Sequence, residues 1–120
     1  MDRNEIGARG ESAAAGYLER TGMRVIERNW RIPAGEIDII ALDGDTLVMC
    51  EVKTRTTARR GSPEEAVSAR KRQKITRLAE AYCSRNGCDP CPVRFDVISI
   101  MVIQPDRALL RHHRAAFIVE

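Results

Sequence analysis

The sequence predicts an α/β fold, a mixed central β-sheet flanked by helices in the order αβββαβ(β). Three observations lead there. An apolar stripe at helical spacing opens the chain. Two apolar strands follow, joined at Asp43-Gly44. A second helical stretch then separates the third strand from a fourth, which demands a right-handed crossover and a parallel pair. With 120 residues, 43% hydrophobic and 31% charged, the chain suits one domain with a real core, residues 1–120.

Residues 4–21 form the first helix: Ile6, Gly7, Gly10, Ala14, Tyr17, Leu18 and Thr21 share a face, and Gly22 is placed to stop it. Gly7, Gly10 and Ala14 are small enough to let this helix approach a sheet closely. Glu11 lies beside the packed stripe, four residues from Gly7 and three from Ala14. Residues 24–31 read as the first strand, IPAG as a loop, and 36–42 and 46–53 as the second and third strands. Both hairpin strands carry Ile, Leu and Val on both faces, so the sheet should be covered on both sides. TRTTARRG, residues 54–61, reads as a basic loop. Ser62, Pro63 and Glu65 then make an N-cap, a first-turn proline and a capping box. This second helix should run to about Arg85, with Val67, Ile75, Leu78, Ala81 and Tyr82 as its stripe and Asn86-Gly87 as its stop. Residues 93–103 read as the fourth strand, and ALLRHHRAAFIVE as a short fifth strand with a brief terminal element.

Charge is distributed unevenly. Residues 52–78 carry nine Lys/Arg against two acids, a balance of +7, whereas residues 36–51 carry five acids and no base. A solvated mixed surface accounts for that much, but an acidic cluster beside a basic one also suits a polyanion handled with a divalent metal. No apolar run is long enough for a membrane span, and the early acidic residues do not suit a secretory leader, so a cytoplasmic protein is expected.

The hairpin carries the chemistry. Glu36 and Asp38 share a face of one strand, Glu51 and Lys53 a face of the next. A two-residue loop at Asp43-Gly44 pairs Leu42 with Asp45 and sets Glu36 opposite Glu51; a four-residue loop sets Asp38 opposite Glu51. Either even length puts all four charged groups on one side, and a three-residue loop does not. Carboxylates brought so close need a cation, and their oxygen ligands suit Mg²⁺ or Mn²⁺ with positions left for water and phosphate. A lysine two residues beyond a ligand carboxylate can reach the same phosphate. The pattern is short and common, and taken alone Lys53 against Glu51 is more readily a plain strand-edge ion pair. Lys71, four residues from both Val67 and Ile75, either snorkels, the favoured reading, or reaches the same cleft with Lys74.

Gly7, Gly10 and Glu11, GEIDIIA at 35–41, GDTLVMCEVKTR at 44–55, GSPEEAVSARKRQKI at 61–75 and RFDVISI at 94–100 together resemble the YraN-type family of small bacterial endonuclease-like proteins. The resemblance spans about Gly7 to Phe117. It extends to the PD-(D/E)xK, or restriction-endonuclease-like, superfamily, and to archaeal Holliday junction resolvases within it. It implies a restriction-endonuclease-like fold and a metal-dependent endonuclease acting on nucleic acid, DNA foremost and branched DNA among its forms. The implied alternative is a nucleic-acid-binding protein of nuclease fold that does not cleave. By the same resemblance Asp38 and Glu51 would hold Mg²⁺ or Mn²⁺ with the backbone carbonyl of Val52, Glu11 would assist, and Lys53 would be the catalytic lysine. Ile37 stands where the motif's proline would be. Glu36 is not required by the motif. Arg55, Arg59, Arg60, Arg70, Lys71 and Lys74 would guide the nucleic-acid backbone, and a homodimer is expected by analogy with the resolvases.

Cys83, Cys88 and Cys91 lie close in sequence, Cys88 and Cys91 as a CxxC. Zinc or a redox pair is open to them, but ordinary thiols in a reducing compartment are the preferred reading, with Cys50 in the core away from the acidic site. Adjacent His112 and His113 point to opposite faces if in a strand. Trp30 and Tyr17 are read as core. Asp96, polar within an apolar strand, is expected to find a structural partner such as Arg94 or a backbone amide.

Overall fold

The structure, a computed structural model, describes residues 2–56, 69–87 and 91–119. Its elements run α1 (Arg3–Arg20), β1 (Arg24–Ile32), β2 (Gly35–Asp43), β3 (Thr46–Arg55), α2 (Ala69–Asn86), β4 (Val93–Gln104) and β5 (Arg107–Val119). The five strands form one sheet in sequential order; β3 and β4 are parallel and every other neighbouring pair is antiparallel. This is the α/β mixed sheet in the expected order. The capping residues Ser62, Pro63 and Glu65, with Val67, Arg59, Arg60 and Cys88, lie outside the described residues. Among the described residues, no helix is long and apolar enough to cross a membrane.

Each sheet face has its own core. Helix α1 contributes Ala14, Ala15 and Leu18 to one, with Ile39, Ala41, Val48, Cys50, Ile98 and Ile100 from the strands. Helix α2 contributes Ile75, Leu78, Ala79, Tyr82 and Cys83 to the other, against Ile37, Ile40, Leu47, Met49, Phe95 and Val97. The stripe of α2 thus runs through Ala79 and Cys83, and Ala81 is only half-buried. Trp30 and Tyr82 meet edge to face at 5.3 Å in this layer.

Helix α1 starts earlier than its apolar stripe, because the Asp2 carboxylate caps it by accepting the Glu5 N–H at 2.8 Å. Gly22, at φ 99°, ends it. The close approach to the sheet is made at Gly10, where an added Cβ would fall on the Thr54 hydroxyl; Gly7 is exposed and faces open space. At the other end of the chain, β5 is one strand of 13 residues rather than a short strand and a separate element. Two irregularities in its pairing with β4 let it follow the whole length of that strand.

The β2–β3 turn differs from the expected one. Asp43 pairs with Thr46 and Leu42 with Leu47, so the two loop residues are Gly44 and Asp45. Gly44 has φ 61° and Asp45 has no positive φ, which suits a turn with glycine first rather than second. Continued by one step, this register brings Asp38 opposite Glu51, the arrangement expected of the longer even loop.

Candidate metal and nucleic-acid site

The site arises where the sheet opens. The β2–β3 ladder ends at Ile39–Cys50. Beyond it, β2 continues to Gly35 on β1, while β3 continues to Arg55 on β4. The strands part, and Asp38 stands at the neck, its Oδ2 accepting the Val52 N–H at 2.8 Å. A side-chain acceptor thus takes an amide that the ladder no longer serves. Alternation also breaks here, since Ile37 packs under α2 but Ile39 under α1. On β1, Asn29 lies across from Asp38 with φ 54°, a conformation asparagine tolerates better than most residues.

Two cavities meet at this neck. The first, about 650 Å³ on the α2 side, is lined among others by Glu36, Asp38, Glu51, Lys53, Lys71 and Lys74. All four hairpin charges therefore line one cavity. Glu51 Oε2 is 2.7 Å from Lys71 Nζ and 3.8 Å from Lys53 Nζ. Lys71 thus reaches the cleft instead of snorkelling. Lys74 crosses Gly35 so closely that a Cβ there would lie 2.9 Å from its Cε. Glu36 makes an exposed pair with Arg31 at 2.9 Å.

The second cavity, about 1080 Å³ on the α1 side, is lined by Glu11, Arg28, Asn29 and Arg55, and shares Glu36, Asp38 and Val52 with the first. Here Glu11 Oε1 accepts from Arg28 Nε at 3.2 Å and from Asn29 Nδ2 at 2.8 Å. Glu11 therefore sits across the neck from Glu51, tied to β1. Arg28 and Asn29 escaped the sequence reading; the only signal was an asparagine inside a strand, where it is a poor fit.

The electrostatics follow this geometry. Burial pushes the Asp38 carboxyl above its ordinary value; the Val52 N–H opposes the rise, and the nearby Glu51, Glu11 and Glu36 add to it. The Lys53 ammonium is lowered by burial, partly offset by Glu51, with Lys71 and Arg55 adding to the fall. Among the described residues no three His, Cys, Asp or Glu side chains form a ready metal-holding group. The donors nevertheless fit Mg²⁺ or Mn²⁺ in kind: they are carboxylates, and the crowding that adds to the effect of burial at Asp38 is what a divalent cation would relieve. Val52 meets Asp38 through its N–H.

Of the basic residues expected to guide nucleic acid, Lys71 and Lys74 line the first cavity, Arg55 the second, and Arg70 is exposed on α2. Of the described cysteines, Cys50 lies apart in the α1-side core, while Cys83 is buried in the α2-side core with Cys91 packed against it; Cys88 lies outside the described residues. Burial pushes the Cys50 thiol well above its usual range. Cys50, Cys83 and Cys91 are thiols rather than half-cystines.

Asp96 is fully buried and held by Arg94 at 2.9 and 3.1 Å and by the Ala115 N–H at 2.9 Å. His112, which the sequence did not suggest, adds Nε2 at 2.7 Å and meets the Tyr17 hydroxyl through Nδ1 at 3.1 Å. This network ties β4 and β5 to α1, apart from the cavities.

The model of uncharacterised protein family UPF0102 matches residues 10–100. A UPF0102 protein of Geobacter sulfurreducens is 47% identical over 112 residues, covering 93% of this chain and 88% of the relative. One from an Arthrobacter species is 52% identical over 97 residues, covering 80% and 81%. Among solved structures, SfsA of Pyrococcus furiosus in complex with Ca²⁺ aligns with a TM-score of 0.45 at 14% identity. That alignment covers 94% of this chain, which spans 64% of the SfsA chain.

Proposed function

The chain belongs to uncharacterised protein family UPF0102, and we propose that it is a metal-dependent endonuclease that hydrolyses phosphodiester bonds in nucleic acid, DNA foremost. The observation that carries this reading is the neck between β2 and β3, where a half-buried, charge-crowded Asp38 shares a cavity with Glu51 and Lys53. Carboxylates placed to bind phosphate directly would repel it, so their convergence beside lysines makes chemical sense with a divalent cation between them.

In this reading Asp38 and Glu51 hold Mg²⁺ or Mn²⁺, with the Val52 carbonyl as a third donor and Glu11 assisting from the α1 side. A cation bound there supplies a water of lowered pKa and positive charge for the scissile phosphate. Lys53, fixed on the same strand face as Glu51, holds its ammonium where negative charge builds on the phosphate. Arg55 borders the second cavity and Lys74 the first, so they can bind backbone phosphates on either side of the neck. Arg59, Arg60 and Arg70 extend the same basic stretch of sequence, and Lys71 adds a further charge at the cavity wall. Branched DNA is the favoured substrate in this reading, because a cavity with basic residues borders the neck on each side.

A second reading, nucleic-acid binding without cleavage, is favoured by one observation: Glu51 already has a lysine ammonium at 2.7 Å. Cleavage of labelled duplex, single strand, flap, fork and four-way junction with Mg²⁺ or Mn²⁺ separates the two. The nuclease reading expects metal-dependent cutting that EDTA, Asp38→Asn and Lys53→Ala each abolish while the fold persists. Cutting that survives in both variants refutes the site. Salt-sensitive binding with no cutting selects the second reading.

A further inference from the structure

Lys71 makes a contact that a general role in backbone binding does not explain. Helix α2 buries Ile75, and Lys71, one turn earlier, leaves the same face. Its side chain crosses to β3 and places Nζ 2.7 Å from Glu51 Oε2. Lys53, on the strand itself, stands 3.8 Å from the same oxygen. The tighter grip on the proposed ligand carboxylate therefore comes from the helix. The Lys71 and Glu51 side chains are 26% and 27% exposed, enough shielding for the pair to count and enough access for an ion to reach it.

Asp38 and Glu51 bring two negative charges to this cavity, Lys53, Lys71 and Lys74 three positive ones, and Glu36 is matched by Arg31. Lys71, in direct contact with Glu51, thus supplies positive charge that the carboxylate pair would otherwise draw from a cation in solution.

We propose that the Lys71 ammonium is a tethered occupant of the cation position at Glu51, which a divalent cation must displace in order to bind. This rests on the reading of Asp38 and Glu51 as cation ligands and adds a competitor carried by α2. An ammonium carries a single positive charge, so it serves the Glu51 carboxylate well but leaves part of the Asp38–Glu51 charge uncompensated, which a divalent ion would offset in full. Two consequences follow. Cation affinity is weaker than the carboxylates alone would give. Displacement also turns the Lys71 ammonium from a carboxylate partner into a phosphate partner at the cavity wall. Cation and nucleic acid then favour each other's binding, since whatever draws Lys71 from Glu51 opens the site to the other.

Mn²⁺ binding to the whole chain, followed by calorimetry and by the paramagnetic resonance signal of unbound Mn²⁺, tests this without any cleavage. Lys71→Met should bind Mn²⁺ about three- to fivefold more tightly than wild type, the upper part of the range for a partly exposed ion pair. Lys71→Gln should move affinity in the same direction, which guards against a packing effect of methionine. Arg77→Met takes the same charge from an exposed position on α2 and should change affinity less than about twofold. In the wild type, Mg²⁺ should shift the NMR signals at the Lys71 side-chain terminus, and Glu51→Gln should remove that response. Unchanged or weaker binding in both Lys71 variants, with binding lost in Glu51→Gln, overturns the role of Lys71 and leaves the cation reading standing. An equal gain in Arg77→Met also overturns it, because the general field would then suffice. Absence of Mn²⁺ binding in wild type and Lys71 variants alike overturns both.

Discussion

Asp96→Asn keeps the shape of a fully buried carboxylate and removes its charge. Burial alone would raise this carboxyl, but His112, Arg94 and the Ala115 N–H outweigh it and hold the group at about 2, against an ordinary 3.8. That difference corresponds to roughly 2 kcal/mol of stability at neutral pH. The amide also presents a donor to a site built of donors, while Arg94 keeps its other partner, Asp43, at 2.9 Å. The expected total cost is about 3 kcal/mol, the low end for breaking a buried pair. Urea denaturation of both forms, followed by circular dichroism, measures it. The sign with pH is definite. The folded-state value is depressed, so the contribution is complete above about 3.8 and fades as pH falls through that value towards about 2. The gap between wild type and variant should close over the same window. A gap below about 1 kcal/mol at pH 7, or one undiminished at the acid end, refutes the assignment of Asp96 as a charged structural hub.

Three further outcomes are expected. Asp38→Asn should raise the melting temperature at pH 7, because burial and then the neighbouring Glu51, Glu11 and Glu36 make its charge costly, whereas Asn can still accept from Val52; calorimetry should show the gain vanish as acid protonates the wild-type carboxyl, and a loss of stability at pH 7 would contradict this. Gly10→Ala should destabilise by about 1–3 kcal/mol, since its Cβ meets the Thr54 hydroxyl, and adding Thr54→Ala should restore part of the loss in a double-mutant cycle. Ala115→Gly should stabilise by up to about 1 kcal/mol, because Ala115 holds φ 52° to aim its N–H at Asp96; a loss on thermal melting would show that the strain has been misjudged.

The order of elements was legible because each depends on local chemistry: the helical spacing of α1, the Asp-Gly turn, and the helix between two apolar strands that forces β3 and β4 to run parallel. The placement of Glu51 and Lys53 on one face followed from strand alternation alone. The turn falls one residue later than Asp-Gly suggests, since that pair favours glycine in second place and the chain uses it first. The break at Asp38 could not be read, because it requires Asn29 on a neighbouring strand to adopt a left-handed conformation. The fate of Lys71 depended on where α2 docks, which its own stripe does not determine. His112 joining Asp96 was hidden for the same reason: the two are 16 residues apart, and a bulge in β5 sets their alignment.

The long strand β5 has a consequence for life at high concentration. It closes one side of the sheet, so among the described residues one row of its backbone groups has no ladder neighbour, the kind of template on which a further strand can add. Two interruptions in its pairing with β4 spoil the flatness such growth needs. Arg107 and Arg111 recur along it and repel a like strand brought alongside. The bulge that lets Ala115 serve Asp96 thus also guards against self-templated assembly, and loosening the buried hub should make the protein more prone to aggregate as well as less stable.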